Sequence, residues 1–141
     1  TKSFHDGRLH SWEGVPAYTT SKKSEWRYNG LLHRNDGPAV IYENGHVEYW
    51  KLGKLHRSDN LPAIVYADGS KEYWLNGLCH REDGPAIDKV NGQQIWKLFG
   101  KYHCESGPAI VQSYGRKDYW LNHIHYRSKT AWEMKLAEKS R

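Results

Sequence analysis

Short runs of β-forming residues alternate with glycine, asparagine and aspartate along most of the chain. Residues 39–43 read Ala-Val-Ile-Tyr-Glu, pass through Asn44-Gly45 and continue as His-Val-Glu-Tyr-Trp over residues 46–50. Asn-Gly and Asp-Gly between β-formers favour a two-residue type I′ turn, because both central residues of that turn need positive φ. The same pattern at Asp68-Gly69 and Asn91-Gly92 predicts further β-hairpins.

A two-residue turn at Asn44-Gly45 would also fix which residues pair across the hairpin. Val40 would lie opposite Tyr49 and Tyr42 opposite Val47, while residues 39 and 50 pair on the other side of the sheet. Extended to the other hairpins, this register predicts one face of tyrosine and aliphatic side chains, with tryptophans and small alanines behind it. The predicted face consists of Val40, Tyr42, Tyr49, Ile64, Tyr66, Tyr73, Ile110 and Tyr119.

The hairpins belong to a repeat of about 23 residues. Glycine begins each copy, histidine follows three residues later, and Pro-Ala follows that histidine by five or six residues. The segment from glycine to proline is predicted to connect one hairpin to the next. The predicted copies span residues 7–29, 30–52, 53–76, 77–99 and 100–122.

Some copies depart from the repeat. The segments His10 to Pro16 and His56 to Pro62 each contain one extra residue, and Cys104 stands where other copies carry arginine. Beyond residue 123 the period becomes helical, with Thr130 and Glu133 spaced as a capping box. This predicts a helix over about residues 129–138 that covers the last strand edge, which would otherwise expose unpaired backbone groups.

These patterns predict an all-β fold: an elongated single-sheet solenoid of about five antiparallel β-hairpin repeats with a short C-terminal α-helix cap. Residues 1–141 are predicted to form a single repeat domain. Hydrophobic residues make up only 38% of the chain, but seven tryptophans and ten tyrosines are present, so aromatic side chains must supply most of the core. We assign this structural role to the tryptophans that close the copies, Trp26, Trp50, Trp74, Trp96 and Trp120.

The formal charge of +5 lies at the two ends of the chain. Residues 30–121 carry eleven basic and eleven acidic side chains, whereas a protein that follows a phosphate backbone needs a continuous line of cations. Binding of anionic membrane lipid or nucleic acid by the basic ends is therefore the alternative function, and it would use Lys22, Lys23, Arg27, Arg127 and Lys129. The longest apolar stretch, Leu61 to Ala67, is far below the roughly 20 residues of a membrane span. With only two cysteines, the chain is expected in a reducing, cytoplasmic compartment.

The histidine of each copy is predicted to be structural and not a metal ligand. Equivalent histidines of successive hairpins should lie roughly 9 to 10 Å apart, whereas two ligands of one zinc ion are about 3 to 4 Å apart. We expect each imidazole to hydrogen-bond the neighbouring backbone connection, at His33, His56, His80 and His103. A chance site of His123 and His125 with His103 or Cys104 is the alternative.

No catalytic residue and no cofactor are predicted. Acidic residues recur beside arginine in several copies, for example Asp36 beside Arg34, whereas an active site needs one singular constellation. The two cysteines, Cys79 and Cys104, lack an adjacent base motif and are predicted to be small packing residues.

The repeat resembles the MORN repeat. Tyr73-Trp74-Leu75-Asn76-Gly77, followed over residues 78–86 by Leu-Cys-His-Arg-Glu-Asp-Gly-Pro-Ala, is similar to that 23-residue hairpin unit, and most similar to the variant branch whose second half reads His-Arg-x-Asp-Gly-Pro-Ala. The resemblance covers residues 7 to about 123. It implies a non-enzymatic scaffold or interaction module. From the occurrence of the variant branch in bacteria, phages and large DNA viruses, it implies a viral or phage accessory protein that binds and modulates a host or bacterial enzyme, in the host cytoplasm if viral.

The predicted partner is another protein. Exposed tyrosine and tryptophan dominate binding hot spots, and one helix cannot cover both faces of a thin sheet. We expect the tyrosine face and the irregular parts of the fourth and fifth copies to bind this partner, although the same tyrosines could instead be core. The predicted contact residues are Tyr42, Tyr49, Tyr66, Tyr73, Phe99, Tyr102 and Tyr119.

Overall fold

The computed structural model describes residues 1–140 and divides the chain into two compact units, Thr1–Gly77 and the part from Leu78 onward. Antiparallel hairpins recur in both units, and one helix lies at the C-terminal end. The predicted all-β class, with repeated hairpins and a C-terminal helix, is confirmed.

The first unit contains thirteen short strands. They are β1 (Phe4–His5), β2 (Arg8–Leu9), β3 (Tyr18–Thr19), β4 (Lys23–Glu25), β5 (Arg27–Tyr28), β6 (Leu31–Leu32), β7 (Val40–Tyr42), β8 (Val47–Glu48), β9 (Trp50–Lys51), β10 (Lys54–Leu55), β11 (Ile64–Val65), β12 (Lys71–Glu72) and β13 (Trp74–Leu75). Its main sheet has the order β3-β4-β7-β8-β11-β12, and separate two-stranded hairpins join β1 to β2, β5 to β6 and β9 to β10.

The second unit contains eight strands and the helix. They are β14 (Leu78–Cys79), β15 (Ile87–Asp88), β16 (Gln94–Ile95), β17 (Lys97–Leu98), β18 (Lys101–Tyr102), β19 (Ile110–Val111), β20 (Lys117–Leu121), β21 (Ile124–Tyr126) and α1 (Lys129–Lys139). Its main sheet has the order β15-β16-β19-β20-β21, and β17 pairs with β18 in a separate hairpin.

The main-sheet hairpins at Asn44-Gly45, Asp68-Gly69 and Asn91-Gly92 turn through three residues, so the two-residue type I′ turn predicted there is wrong. The Tyr42 N–H donates to the His46 carbonyl (2.9 Å), and the Gly45 N–H donates to the Tyr42 carbonyl (3.0 Å). Gly45 has a φ of 95°, but Asn44 does not adopt positive φ; its Oδ1 instead accepts the His46 N–H (2.9 Å). This is a type I turn followed by a left-handed glycine, and the asparagine side chain closes it.

The longer turn moves the register by one residue. Val40 pairs with Glu48 and Ile41 with Val47, so the predicted pairs of Val40 with Tyr49 and of Tyr42 with Val47 are wrong. A shift of one residue transfers the whole return strand to the opposite face. The predicted single tyrosine face is therefore wrong: Val40 and Tyr42 share a side with Glu48 and Trp50, whereas Tyr49 belongs to the other side.

The predicted plain connection between main hairpins contains a second hairpin. Strands β5 and β6 pair Arg27 with Leu32 and Tyr28 with Leu31, around Asn29 (φ 45°) and Gly30 (φ 89°). Both central residues have positive φ, so the type I′ turn occurs here. The same turn is formed at Leu52-Gly53 and Phe99-Gly100, where a bulky residue takes the left-handed position.

The tryptophans do not form one row. The backbone N–H groups of Trp26, Tyr49 and Trp96 each donate to the carbonyl of an alanine that follows a repeat proline, at 2.7 Å in all three cases. These residues are therefore equivalent, whereas Trp50, Trp74 and Trp120 occupy the next position along the repeat. The alanines themselves are 0% exposed and mark the centre of the core: Ala17, Ala39, Ala63, Ala86 and Ala109.

Helix α1 packs on β20 and β21 in the second unit, as expected of a cap. Its N-cap is Ser128, whose side chain accepts the Ala131 N–H, so the capping box predicted at Thr130 is wrong. Trp132 is 5% exposed, lies 5.0 Å from the Tyr119 ring and donates its indole N–H to the Cys104 carbonyl (3.2 Å).

Candidate functional site

Each repeat histidine bonds the last residue of its own copy, at the turn that leads into the next copy, so the expected hydrogen bond to the backbone is present. In each case Nδ1 accepts the backbone N–H of the first residue of the next tight turn. The distances are 3.1 Å for His10 and Asn29, 3.0 Å for His33 and Leu52, 3.0 Å for His56 and Asn76, 2.9 Å for His80 and Phe99, and 2.9 Å for His103 and Asn122. This bond holds the left-handed turn residue in place.

An imidazole that accepts through Nδ1 is neutral and carries its proton on Nε2. Burial lowers the pKa of His56, and Lys51 lowers it further. Burial also lowers the pKa of His103 below its ordinary value, although the nearby Glu105 opposes this change. Both histidines are therefore held in the neutral form that the backbone hydrogen bond requires.

Arginines of the connecting loops lie flat on core aromatic rings. The Arg34 guanidinium is 3.9 Å from the Trp26 ring centre, and the Arg57 guanidinium is 3.8 Å from that of Tyr49. Each also donates an Nη1 hydrogen to a proline carbonyl, Pro38 at 3.2 Å for Arg34 and Pro62 at 3.1 Å for Arg57. The rings and carbonyls fix the orientation of both guanidinium groups.

Two of these loops, residues 34–37 and 56–61, border an open groove of about 430 Å³ in the first unit. We call it the loop groove. Tyr49 and Trp50 contribute aromatic surface, and Arg34, Lys51 and Arg57 contribute positive charge. Both stacked arginines, Arg34 and Arg57, line this groove.

The predicted tyrosine contact residues lie in different environments of the first unit. Tyr42 and Tyr66 lie on either side of His46, with ring centres 4.9 and 5.0 Å from the imidazole, beside a groove between two hairpin loops. Burial raises the pKa of Tyr66, and its hydrogen bond to Glu72 raises it further. Tyr49 lies beneath Arg57, and Tyr73 is only 8% exposed, so Tyr73 offers little surface to a partner.

The predicted contact residues of the second unit are equally varied. Phe99 is exposed and packs against His80 at 4.0 Å. Tyr102 stacks on His123 at 5.1 Å, and Tyr119 packs against the helix residue Trp132. The structure brings Tyr42 and Tyr66 together, but it does not gather the seven predicted residues into one surface.

An aromatic patch in the first unit was not predicted from the sequence. His10 lies 4.4 Å from Trp12, 5.1 Å from Tyr28 and 5.2 Å from His5, measured between ring centres, and the Trp12 indole N–H donates to the Phe4 carbonyl. Phe4, Trp12 and Tyr28 are nevertheless 55, 48 and 50% exposed. We call these five residues the aromatic patch. The only sequence signal for it was the extra residue in the segment His10 to Pro16 that contains Trp12.

The predicted basic ends are not a free cationic surface throughout. Lys23 and Arg27 both bind Glu25, each at 2.8 Å. Lys129 lies 3.8 Å from Glu133 in the helix, whereas Lys22 and Arg127 are exposed. Pairing with acidic groups reduces the charge that is available to a phosphate.

The residues of the alternative metal site, His123 and His125, and the two cysteines all lie within residues 1–140. No group of three His, Cys, Asp or Glu side chains that could hold a metal ion occurs in this part of the chain. The His125 ring lies against Trp120 at 4.8 Å, and His123 accepts the Tyr102 N–H through Nδ1 at 3.3 Å. Cys79 and Cys104 are buried and form no disulfide, consistent with packing residues.

Comparison of the sequence with protein families and with curated proteins finds no match. Within residues 1–140, none of the chain's helical structure combines the length and apolar character needed to cross a membrane. The candidate sites are therefore judged on their geometry, and the aromatic patch and the loop groove, both in the first unit, are the strongest.

Proposed function

We propose that this chain is a non-enzymatic, MORN-like repeat protein that binds another protein through the aromatic patch. The observation that carries the proposal is the half-exposure of Phe4, Trp12 and Tyr28. The Trp12 and Tyr28 rings pack against His10, and the Trp12 indole N–H donates to the Phe4 carbonyl. Large aromatic side chains that are rigid before binding lose little conformational entropy when a partner covers them.

The type of partner follows from the resemblance of the repeat. On that basis the partner is a host or bacterial enzyme, and this chain is a viral or phage accessory protein that modulates it in the host cytoplasm. The cations Lys23 and Arg27 are already paired with Glu25, which leaves less positive charge for anionic lipid headgroups and supports a protein partner.

The test is affinity capture from cell extract with the intact protein and two variants. Trp12→Ala combined with Tyr28→Ser removes the centre of the patch, and Tyr114→Ser is the matched control, since Tyr114 is an exposed aromatic residue (76%) in the second unit. We expect one protein to be captured in near-equal amount by the wild type and the control, and its recovery to fall at least about tenfold with the patch variant.

Circular dichroism should show the same fold in all three proteins. Equal recovery with the patch variant would contradict the assignment of this surface. Capture of nucleic acid alone, or flotation of the wild type with anionic liposomes, would contradict a protein partner. Either result would favour the alternative function, binding of nucleic acid or anionic lipid.

A further inference from the structure

The third copy differs from the second and fourth copies in the partner of its loop arginine. Arg34 Nε lies 3.1 Å from the Asp36 carboxylate, and Arg81 Nε lies 3.4 Å from Asp83. Arg57 forms no such ion pair with the described residues; its guanidinium lies over the Tyr49 ring and donates to the Pro62 carbonyl.

The extra residue of the third loop explains this difference. Four residues, 58–61, separate Arg57 from its proline, where three residues do so in the second and fourth copies. Asp59 and Asn60 both take left-handed conformations, with φ of 63° and 55°. The carboxylate of Asp59 therefore does not follow the path by which Asp36 and Asp83 reach their arginines.

The histidine of the third copy also lacks the acidic partner that the fourth and fifth copies have. His80 Nε2 lies 3.7 Å from Glu82, and His103 Nε2 lies 3.6 Å from Glu105. Ser58 occupies the corresponding position beside His56. Because His56 accepts a backbone N–H through Nδ1, its Nε2 carries a hydrogen, and this donor has no partner among the described side chains.

Both donors line the loop groove. The groove contains three cationic side chains, Arg34, Lys51 and Arg57, and two acidic ones, Asp36 and Asp59. One carboxylate would balance this charge, whereas a doubly charged phosphate would exceed it. Trp50 provides apolar surface for the hydrocarbon part of a ligand whose carboxylate binds the cations.

We propose that the loop groove binds a carboxylate of an acidic peptide segment on the partner protein, with the Arg57 guanidinium and the His56 Nε2–H as its donors. The inference rests on the proposed function and names the chemistry of the partner. Position supports the link: the Tyr28 ring of the aromatic patch lies 6.0 Å from His33, and the next residue, Arg34, lines the groove. A guanidinium held flat on a ring is suited to a carboxylate, because the charge-assisted bond needs little further ordering.

The test is an NMR titration of the full chain with the α-N-methylamide of N-acetylglutamate, whose only carboxylate is on its side chain. We expect the Arg57 Nε–H and His56 ring signals to shift and saturate, with a Kd on the order of 1 mM, while the α-N-methylamide of N-acetylglutamine, which has no carboxylate, has no saturable effect. Arg57→Gln should weaken binding at least about tenfold. Arg116→Gln is the matched control, because Arg116 is an exposed arginine in the second unit, and it should leave binding unchanged.

A loop exchange tests the cause directly. Replacing residues 58–61 by Glu-Asp-Gly, the sequence of residues 82–84, restores both acidic partners and should abolish saturation without changing circular dichroism. The inference is wrong if the α-N-methylamide of N-acetylglutamate gives no saturable shift, if the loop exchange binds it as well as the wild type, or if inorganic phosphate binds the groove more tightly than this monocarboxylate.

The titration needs no partner protein, so its outcome is independent of the capture experiment. If a protein is captured but the titration does not saturate, the groove inference is wrong and the assignment of the aromatic patch still holds. If the titration saturates but no protein is captured, the proposed function is wrong and the carboxylate site still holds.

Discussion

Replacing His103 by leucine removes the hydrogen bond between the start of the fifth copy and the turn at its end, while keeping a side chain of similar size. His103 is 9% exposed, and its Nδ1 accepts the Asn122 N–H at 2.9 Å. An unpaired polar group costs about 1 to 3 kcal/mol, but Asn122 is at the surface, where water can partly replace the acceptor. We therefore expect a loss of about 1 to 2 kcal/mol, which lowers Tm by roughly 3 to 8 °C.

The pH dependence of this loss distinguishes the hydrogen bond from simple packing. Burial and the nearby Lys139 lower the pKa of His103 in the folded protein, while Glu105 opposes them. The unfolded chain then binds more protons than the folded one as pH falls below the ordinary histidine value of about 6.5. Wild-type stability is thus lost with falling pH through this residue, and the difference between wild type and His103→Leu should shrink.

Thermal unfolding followed by circular dichroism at pH 7.5 and 5.5 measures both effects. His125→Leu is the control, since the His125 ring rests on Trp120 and makes no Nδ1 bond to the backbone. Its Tm should change little. An unchanged Tm for His103→Leu at pH 7.5, or a deficit equal at both pH values, would show that the ring only fills space.

Three further perturbations test the packing, the tight turns and a buried carboxylate. Trp132→Ala should cost about 3 to 5 kcal/mol in urea unfolding, because it empties the buried contact between helix and sheet. Gly53→Ala should cost at least about 1 to 2 kcal/mol, since φ is 81° and the added Cβ would lie 3.2 Å from Leu31 Cδ2, whereas Gly107→Ala, at ordinary φ and in open space, should be neutral. Burial would raise the pKa of Glu25, but hydrogen bonds to two cationic side chains lower it overall. Glu25→Gln should therefore be less stable at neutral pH, and this deficit should disappear in acid as the wild-type carboxylate is protonated on passing below its lowered pKa.

The repeat frame and the C-terminal helix could be predicted because they depend on local signals. Glycine at a fixed spacing marks places where only a turn fits, and proline after each histidine excludes a central strand. The switch from β to helical period after residue 123 is also local. Ser128 was missed as the cap because Thr130 and Glu133 carry the same capping pattern two residues later.

The register could not be predicted, because Asn44-Gly45 is compatible with two turns that differ by one residue. Asparagine can take positive φ in a type I′ turn, or it can accept a backbone hydrogen bond through its side chain in the three-residue turn. The hydrogen bond from His46 N–H to Asn44 Oδ1 belongs to the second arrangement. That single residue decided which side of the sheet Tyr49 occupies.

The candidate sites were hidden because their parts are far apart in the chain. His10 and Tyr28 lie in one copy but meet only when the tight hairpin of β5 and β6 packs against the segment after β2, and Arg34 meets Arg57 only across two copies. No short sequence spacing encodes these contacts. Composition indicated aromatic binding residues in general, but the burial of Tyr73 shows that residue type alone does not locate them.

The loops that connect histidine to proline differ in backbone conformation between the copies. The second, fourth and fifth copies connect histidine to proline with every non-glycine loop residue at ordinary φ, so the fold does not require strain there. Only the two segments with an extra residue depart, with Glu13 at φ 51° in one and Asp59 and Asn60 at 63° and 55° in the other. Such conformations cost about 1 to 3 kcal/mol each, a cost that the regular loops avoid. The first of these segments carries Trp12 of the aromatic patch and the second opens the loop groove, so the strained loops coincide with the two surfaces proposed to bind the partner.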